Sequence, residues 1–134
     1  MNSSKVALVT GGAKRIGHAI TQALHTQGYD VIIHHNHSQD AAKALRDELN
    51  AIRLNSANTI QANLSIINDS ALLNQFTNDV MSMFGQLDLL VHNASSFYST
   101  SLNDDHANWQ THWDDLFLTN AKAPLFLSVA FKDE

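Results

Sequence analysis

The feature that most constrains this chain is an alternation of short, β-branched apolar runs with longer segments whose apolar residues recur at helical spacing. Lys5 to Thr10 (KVALVT) predicts a strand that breaks at Gly11-Gly12. Arg15 to Thr26 then predicts a helix, with Ile16, Ala19, Ile20, Ala23 and Leu24 at its apolar positions. Gly28 ends it, and Val31 to His35 (VIIHH) predicts a second strand. Ala41 to Leu54 repeats the helical period through Ala42, Leu45 and Leu49, and Thr59 to Leu64 reads as a third, weaker strand. Asp69 to Phe84 predicts a helix with Leu72, Leu73, Phe76, Val80 and Phe84 on one face; it stops at Gly85 before a fourth strand, Leu87 to Val91. A last helix spans Trp113 to Phe131, bent at Pro124, whose ring removes a hydrogen bond.

Strands that alternate with helices build right-handed crossovers, so the class is α/β with a parallel sheet covered on both faces. A chain of 134 residues makes one domain, 1–134. Eight Lys and Arg against thirteen Asp and Glu give a net charge of −5, which argues against phosphate-backbone binding to nucleic acid. The absence of cysteine removes disulfides, thiolate metal sites and thiol nucleophiles. No apolar run reaches the roughly 18 residues of a membrane span, and Met1 to Lys5 lead into a strand rather than a signal segment, so a cytoplasmic protein without membrane contact is expected.

The chemistry concentrates at strand ends. Thr10-Gly11-Gly12-Ala13-Lys14-Arg15-Ile16-Gly17 joins the first strand to the first helix, where free amides and the helix dipole can meet a pyrophosphate. The bland alternative is a tight connection chosen for backbone geometry. At the end of the second strand, where an NAD site presents a carboxylate to the ribose 2′-hydroxyl, there is none. His35, Asn36, His37 and Ser38 offer donors there and Lys14 adds a charge, so a 2′-phosphate and hence NADPH are favoured. A solvated strand end is the plain alternative for this stretch. A histidine metal site is disfavoured, because His34 and His35 point to opposite faces of a strand.

The spacing Thr-Gly-x-x-x-Arg-x-Gly is similar to the fingerprint of the short-chain dehydrogenase/reductase family, with Arg15 in place of the middle glycine. That replacement, with Asn93-Ala94-Ser95-Ser96-Phe97-Tyr98 after the fourth strand and His34-His35-Asn36-His37-Ser38 after the second, resembles the pteridine reductases of that family. The resemblance runs over essentially the whole chain and includes Ala62-Asn63-Leu64-Ser65 and Asn120-Ala121-Lys122-Ala123-Pro124. It implies a Rossmann-like doubly wound sheet, here ending after the fourth strand and its following helix, and an NADPH-dependent reductase of pterin- or folate-like small molecules.

Residue by residue, the resemblance assigns Gly11, Lys14, Arg15, Ile16 and Gly17 to the diphosphate, and His35, Asn36, His37 and Ser38 to the adenosine ribose. Asn63 and Leu64 fall on the adenine, and Asn93, Ala94 and Ser95 on the rest of the cofactor. Arg15, Ser95, Phe97 and, more weakly, Tyr98 fall on the substrate, Phe97 supplying a stacking face for a flat ring. Taken singly, Phe97 reads better as core and Arg15 as a surface side chain; together they favour the functional reading. Three departures stand out: His37 where an Arg is usual, Asn63 where an Asp is usual, and His92 in place of the first Asn of Asn-Asn-Ala-Gly. A histidine carries less charge than an arginine at neutral pH, which weakens the NADP preference.

Asn120 matches the helix Asn of the family's catalytic tetrad, where it holds a water of the proton relay. No Tyr-x-x-x-Lys follows: Tyr29 is succeeded at the fourth place by Ile33, and Tyr98 by Leu102. The expectation is therefore an N-terminal portion of a longer reductase, inactive alone, whose complete form is a homotetramer. Two alternatives remain: a non-catalytic nucleotide-binding module, and a short-chain reductase of another carbonyl such as a ketoacyl ester.

Overall fold

A computed structural model describes residues 4–133. Met1, Asn2, Ser3 and Glu134, and with them most of the predicted lead-in to the first strand, lie outside the described residues. Strands β1 (Val6–Val9), β2 (Asp30–His35), β3 (Ala57–Gln61) and β4 (Leu89–Val91) form one sheet in the order β3-β2-β1-β4. Every pairing is parallel, with Leu8 opposite Ile32 on one side and Leu90 on the other. Helices α1 (Arg15–Thr26), α2 (Gln39–Ile52), α3 (Ser70–Phe84), α4 (His106–Phe117) and α5 (Ala123–Phe131) complete it. A 3₁₀ turn covers Leu64–Asn68, and a π-helical segment, Leu118–Lys122, joins α4 to α5. This is the Rossmann-like doubly wound arrangement.

Strand alternation sorts β2 between two cores. Val31 and Ile33 pack with Ala42, Leu45 and Leu49 of α2, while Ile32 faces Phe76 and Val80 of α3 and Leu127 and Phe131 of α5. The expected apolar positions of α2 are all buried. α3 departs from expectation at Leu72, which is exposed, while Leu73 and Phe84 are half-buried and Phe76, Thr77 and Val80 reach the interior.

α1 has the predicted limits but a different buried face. Gly17, Thr21 and His25 turn inward, and Ile16, Ala19 and Ala23 are exposed. Hydrogen bonds explain this stripe: Thr21 Oγ1 donates to the carbonyls of Gly17 (2.8 Å) and Gly12 (3.2 Å), and His25 Nε2 meets Ser56 Oγ at 2.6 Å. The helix is drawn onto its own glycine turn rather than pressed into the core by bulk.

The final helix begins at His106, seven residues before the predicted Trp113, because Asp105 caps it by accepting from Asn108 N at 2.8 Å. Pro124 sits in the first turn of α5, directly after the π-helical segment, so its missing N–H falls where the helical ladder is already interrupted. Among the described residues, no helix is long and apolar enough to cross a membrane.

Candidate functional site

The sheet changes direction at β1, which pairs with β2 on one side and β4 on the other. Loops leaving the carboxyl ends of β1 and β4 therefore diverge and leave a crevice, the usual ligand position of a doubly wound sheet. A cleft of about 720 Å³ lies there. The glycine turn lines it with Gly11, Lys14, Arg15, Ile16 and Gly17, and the β2 exit with His34, Asn36, His37 and Ser38. The β3 exit adds Asn63 and Leu64, and the β4 exit Asn93, Ala94, Ser95 and Ser96. Asp115, Leu118 and Thr119 close the side toward α4.

Close approach dictates the glycines. Gly11 has φ +60°, and a Cβ there would stand 3.1 Å from Ala94 Cα. At Gly17 a Cβ would lie 2.0 Å from the Gly11 carbonyl oxygen and 2.6 Å from Asn93 Nδ2, so no side chain fits. Thr10 and Asn93 tie the two loops together. Thr10 Oγ1 accepts from the amides of Asn93 and Ala94, each at 3.0 Å, and Asn93 Nδ2 donates to Gly11 O at 3.0 Å. Arg15 has φ +53°, so it occupies the left-handed region that the glycine it replaces would adopt freely.

The donor set suits a phosphate-bearing ligand. The helix starts that open on the cleft, α1 after Lys14 and α2 after Ser38, have no side-chain cap. α3 and α4, which begin elsewhere, are capped by Asp69 and Asp105. Uncapped amides and the helix dipole attract anions, and Lys14 and Arg15 add positive charge. Asp115 is the only carboxylate among the lining residues.

Around the rim, Asn36 is braced by Gln61 Nε2, which donates to its Oδ1 at 3.1 Å, and its own Nδ2 meets His37 Nε2 at 3.3 Å. Asn63 Oδ1 accepts from Ser65 N at 2.9 Å and so caps the 3₁₀ turn that buries Leu64. His92 is turned away from the cleft, its Nε2 2.7 Å from Ser128 Oγ of α5, and burial lowers its pKa. Asn120, on the π-helical segment, grips the backbone of Ser96 at both ends: Oδ1 accepts from its N–H at 2.8 Å and Nδ2 donates to its carbonyl at 2.9 Å.

Four predicted residues stand apart from the cleft lining: Asn120, which acts on Ser96 from behind the loop, and His35, Phe97 and Tyr98. His35 is buried on the α2 face of β2, with its Nδ1 unpartnered; burial first, and the charge of Lys43 second, lower its pKa. Phe97 is 89% exposed, so it is not a core residue. Tyr98 donates to Asp115 Oδ2 at 2.7 Å and packs edge-on against His112; the bond to Asp115 raises the phenol's pKa. The sequence reading had missed His34, Ser96, Asp115, Leu118 and Thr119 as lining residues. Strand alternation puts His34 on the face of Ile32, but that this face receives α3 is a long-range fact that the sequence around it does not show.

Against known proteins, the family model of short chain dehydrogenase matches residues 5–134. The chain is 38% identical to pteridine reductase 1 of Leishmania tarentolae, over 96% of this chain and 53% of that protein. It is 34% identical to a 3-oxoacyl-acyl-carrier-protein reductase of Staphylococcus aureus, over 91% of this chain and 47% of that protein. A hydroxynaphthalene reductase of Aspergillus fumigatus is 32% identical, over 94% and 44%. The chain thus spans about half the length of these relatives. With the glycine turn, the switch-point cleft and a family match along nearly its whole length, this chain belongs to the short-chain dehydrogenase family and is pteridine reductase-like.

Proposed function

We propose that residues 1–134 form the N-terminal, cofactor-binding portion of an NADPH-dependent reductase of pterin- or folate-like substrates. The carrying observation is the donor-rich cleft: two uncapped helix starts, Lys14 and Arg15 at its rim, and no carboxylate where β2 ends. In this reading Gly11 and Gly17 admit the diphosphate, Ser38 and His37 receive the 2′-phosphate, and Asn63 and Leu64 flank the adenine. Asn93, Ala94 and Ser95 carry the chain of contacts toward the nicotinamide. His35, one strand face away, supports β2 from behind. Bound NADPH would supply the hydride.

Arg15 reaches over the turn to phosphate and substrate, and Phe97 offers a stacking face at the cleft mouth once substrate or further chain covers it. Asn120 fixes Ser96 and, with it, the loop that carries Ser95, Phe97 and Tyr98. The proton donor lies outside these residues, and the 134-residue chain alone is inactive. Exposed Trp113 and Phe117, stacked at 5.5 Å on α4, support a homotetramer of the complete protein, a cytoplasmic enzyme.

A second reading, reduction of a ketoacyl ester, draws support from the 3-oxoacyl reductase relatives and from the exposure of Phe97. Phe97→Ala in the complete protein separates the two. Activity on dihydropteridines with NADPH falls about fivefold in the first reading, as an aromatic stacking partner worth about 1 kcal/mol is lost. Unchanged turnover favours the second.

A further inference from the structure

His34 uses both ring nitrogens to join two walls of the cleft. Gly11 N–H donates to Nδ1 at 3.0 Å, and Nε2 lies 2.9 Å from the Ala62 carbonyl. A backbone amide can only donate, so Nδ1 is unprotonated, and Nε2 carries the hydrogen given to Ala62. The ring is thereby fixed as a neutral imidazole in one tautomer. It is 2% exposed and stands edge-on to Phe76 at 6.3 Å, with no room to turn over.

Each tie ends on a functional element. Gly11 holds the left-handed turn, and its carbonyl receives Asn93 Nδ2. Ala62 immediately precedes Asn63 and Leu64. One buried side chain therefore spans the phosphate end and the adenine end of the cleft.

We propose that neutral His34 is a positioning residue that holds the glycine turn and the Asn63–Leu64 wall in one coenzyme-binding frame, and that protonating it releases Gly11 and weakens coenzyme binding. The inference rests on the dinucleotide reading above. Protonation would place a hydrogen on Nδ1 against the Gly11 N–H, turning an acceptor into a clash of two donors. Its charged surroundings do not favour the cation. His35 follows on β2, Lys14 and Arg15 stand on the glycine turn, and His37 lies beyond the strand end. Asp115 is the one carboxylate lining the cleft, while α3 meets the ring with Phe76 and the β3 exit brings Ala62, Asn63 and Leu64. Burial is the largest influence on the ring and lowers its pKa, against the opposing pull of the Ala62 carbonyl.

The test is a calorimetric titration of NADPH into the complete protein between about pH 8 and about pH 5, where histidines change charge. Wild type is compared with His34→Gln, His34→Leu and the core variant Val80→Ala. Glutamine presents an acceptor and a donor at a spacing like that of the ring nitrogens and does not titrate. It is expected to bind like wild type at the alkaline end, with an acid-side loss of affinity shallower than that of wild type. His34→Leu leaves Gly11 unpaired and is expected to bind on the order of tenfold more weakly at every pH. Val80→Ala lowers the melting temperature and leaves the pH profile unchanged.

A glutamine variant that follows the wild-type acid slope, or a folded leucine variant that binds like wild type, overturns the proposal. Should leucine prevent folding, the glutamine slope and the ¹⁵N spectrum of the wild-type ring decide it. If the wild type binds no coenzyme at any pH, the dinucleotide reading fails instead, and the ¹⁵N spectrum still judges the tie. A protonated Nδ1 at neutral pH refutes it.

Discussion

Arg15 holds a left-handed backbone, φ +53°, that costs a non-glycine residue on the order of 1 kcal/mol. The strain sits at a residue that lines the cleft. Arg15→Gly is therefore expected to leave the melting temperature unchanged or higher while weakening NADPH binding; a folded variant with undiminished affinity contradicts the assigned role. Gly17 is stricter. Alanine there puts Cβ 2.0 Å from the Gly11 carbonyl, so the turn must shift, and coenzyme affinity is expected to fall on the order of a hundredfold, read by fluorescence titration. Much of this was legible in the sequence, because glycine spacing reports backbone approach directly. Strand alternation likewise put His34 and His35 on opposite faces. Which of them meets the cleft depends on which face receives α3, a long-range fact that no local pattern around residue 34 contains.

Among elements, the alternation of strands and helices carried the architecture, and the limits of α1 were readable from the Gly11-Gly12 break before it and Gly28 after it. α4 was obscured because none of its residues is buried, which erases the apolar period from which a helix is recognised. Its signal was the cap: Asp105, three residues before Asn108, announces a helix start without any hydrophobic stripe. The π-helical segment at Leu118–Lys122 was not legible, since it depends on how α5 docks on Leu64, Ile67 and Phe76 through Ala123, Leu127 and Phe131. Asp69 offers a clean test at this scale. It caps α3 by accepting from Ala71 N at 2.9 Å and Leu72 N at 3.2 Å, far from the glycine turn. Asp69→Ala is expected to cost about 1 kcal/mol in denaturant unfolding with coenzyme affinity intact.

For the whole molecule, three buried histidines, His25, His34 and His35, and the more open His92 set the response to acid. His25, His34, His35 and His92 all have pKa values below the ordinary histidine value of 6.5, with desolvation the first cause in each. The unfolded chain then takes up protons before the native one. Stability is full above the unfolded value of 6.5 and falls as pH drops below it. Urea unfolding at about pH 7.5 and about pH 5.5 checks this, and a midpoint that does not move refutes it. The central claim is that the cleft at the switch point grips a phosphorylated dinucleotide. Calorimetric titration of NADPH and NADH into the complete protein, alongside Gly17→Ala, tests it most directly. The account predicts saturable heat with NADPH, weaker heat with NADH and binding weaker on the order of a hundredfold by the variant; well-folded wild type giving no heat with either coenzyme would contradict it.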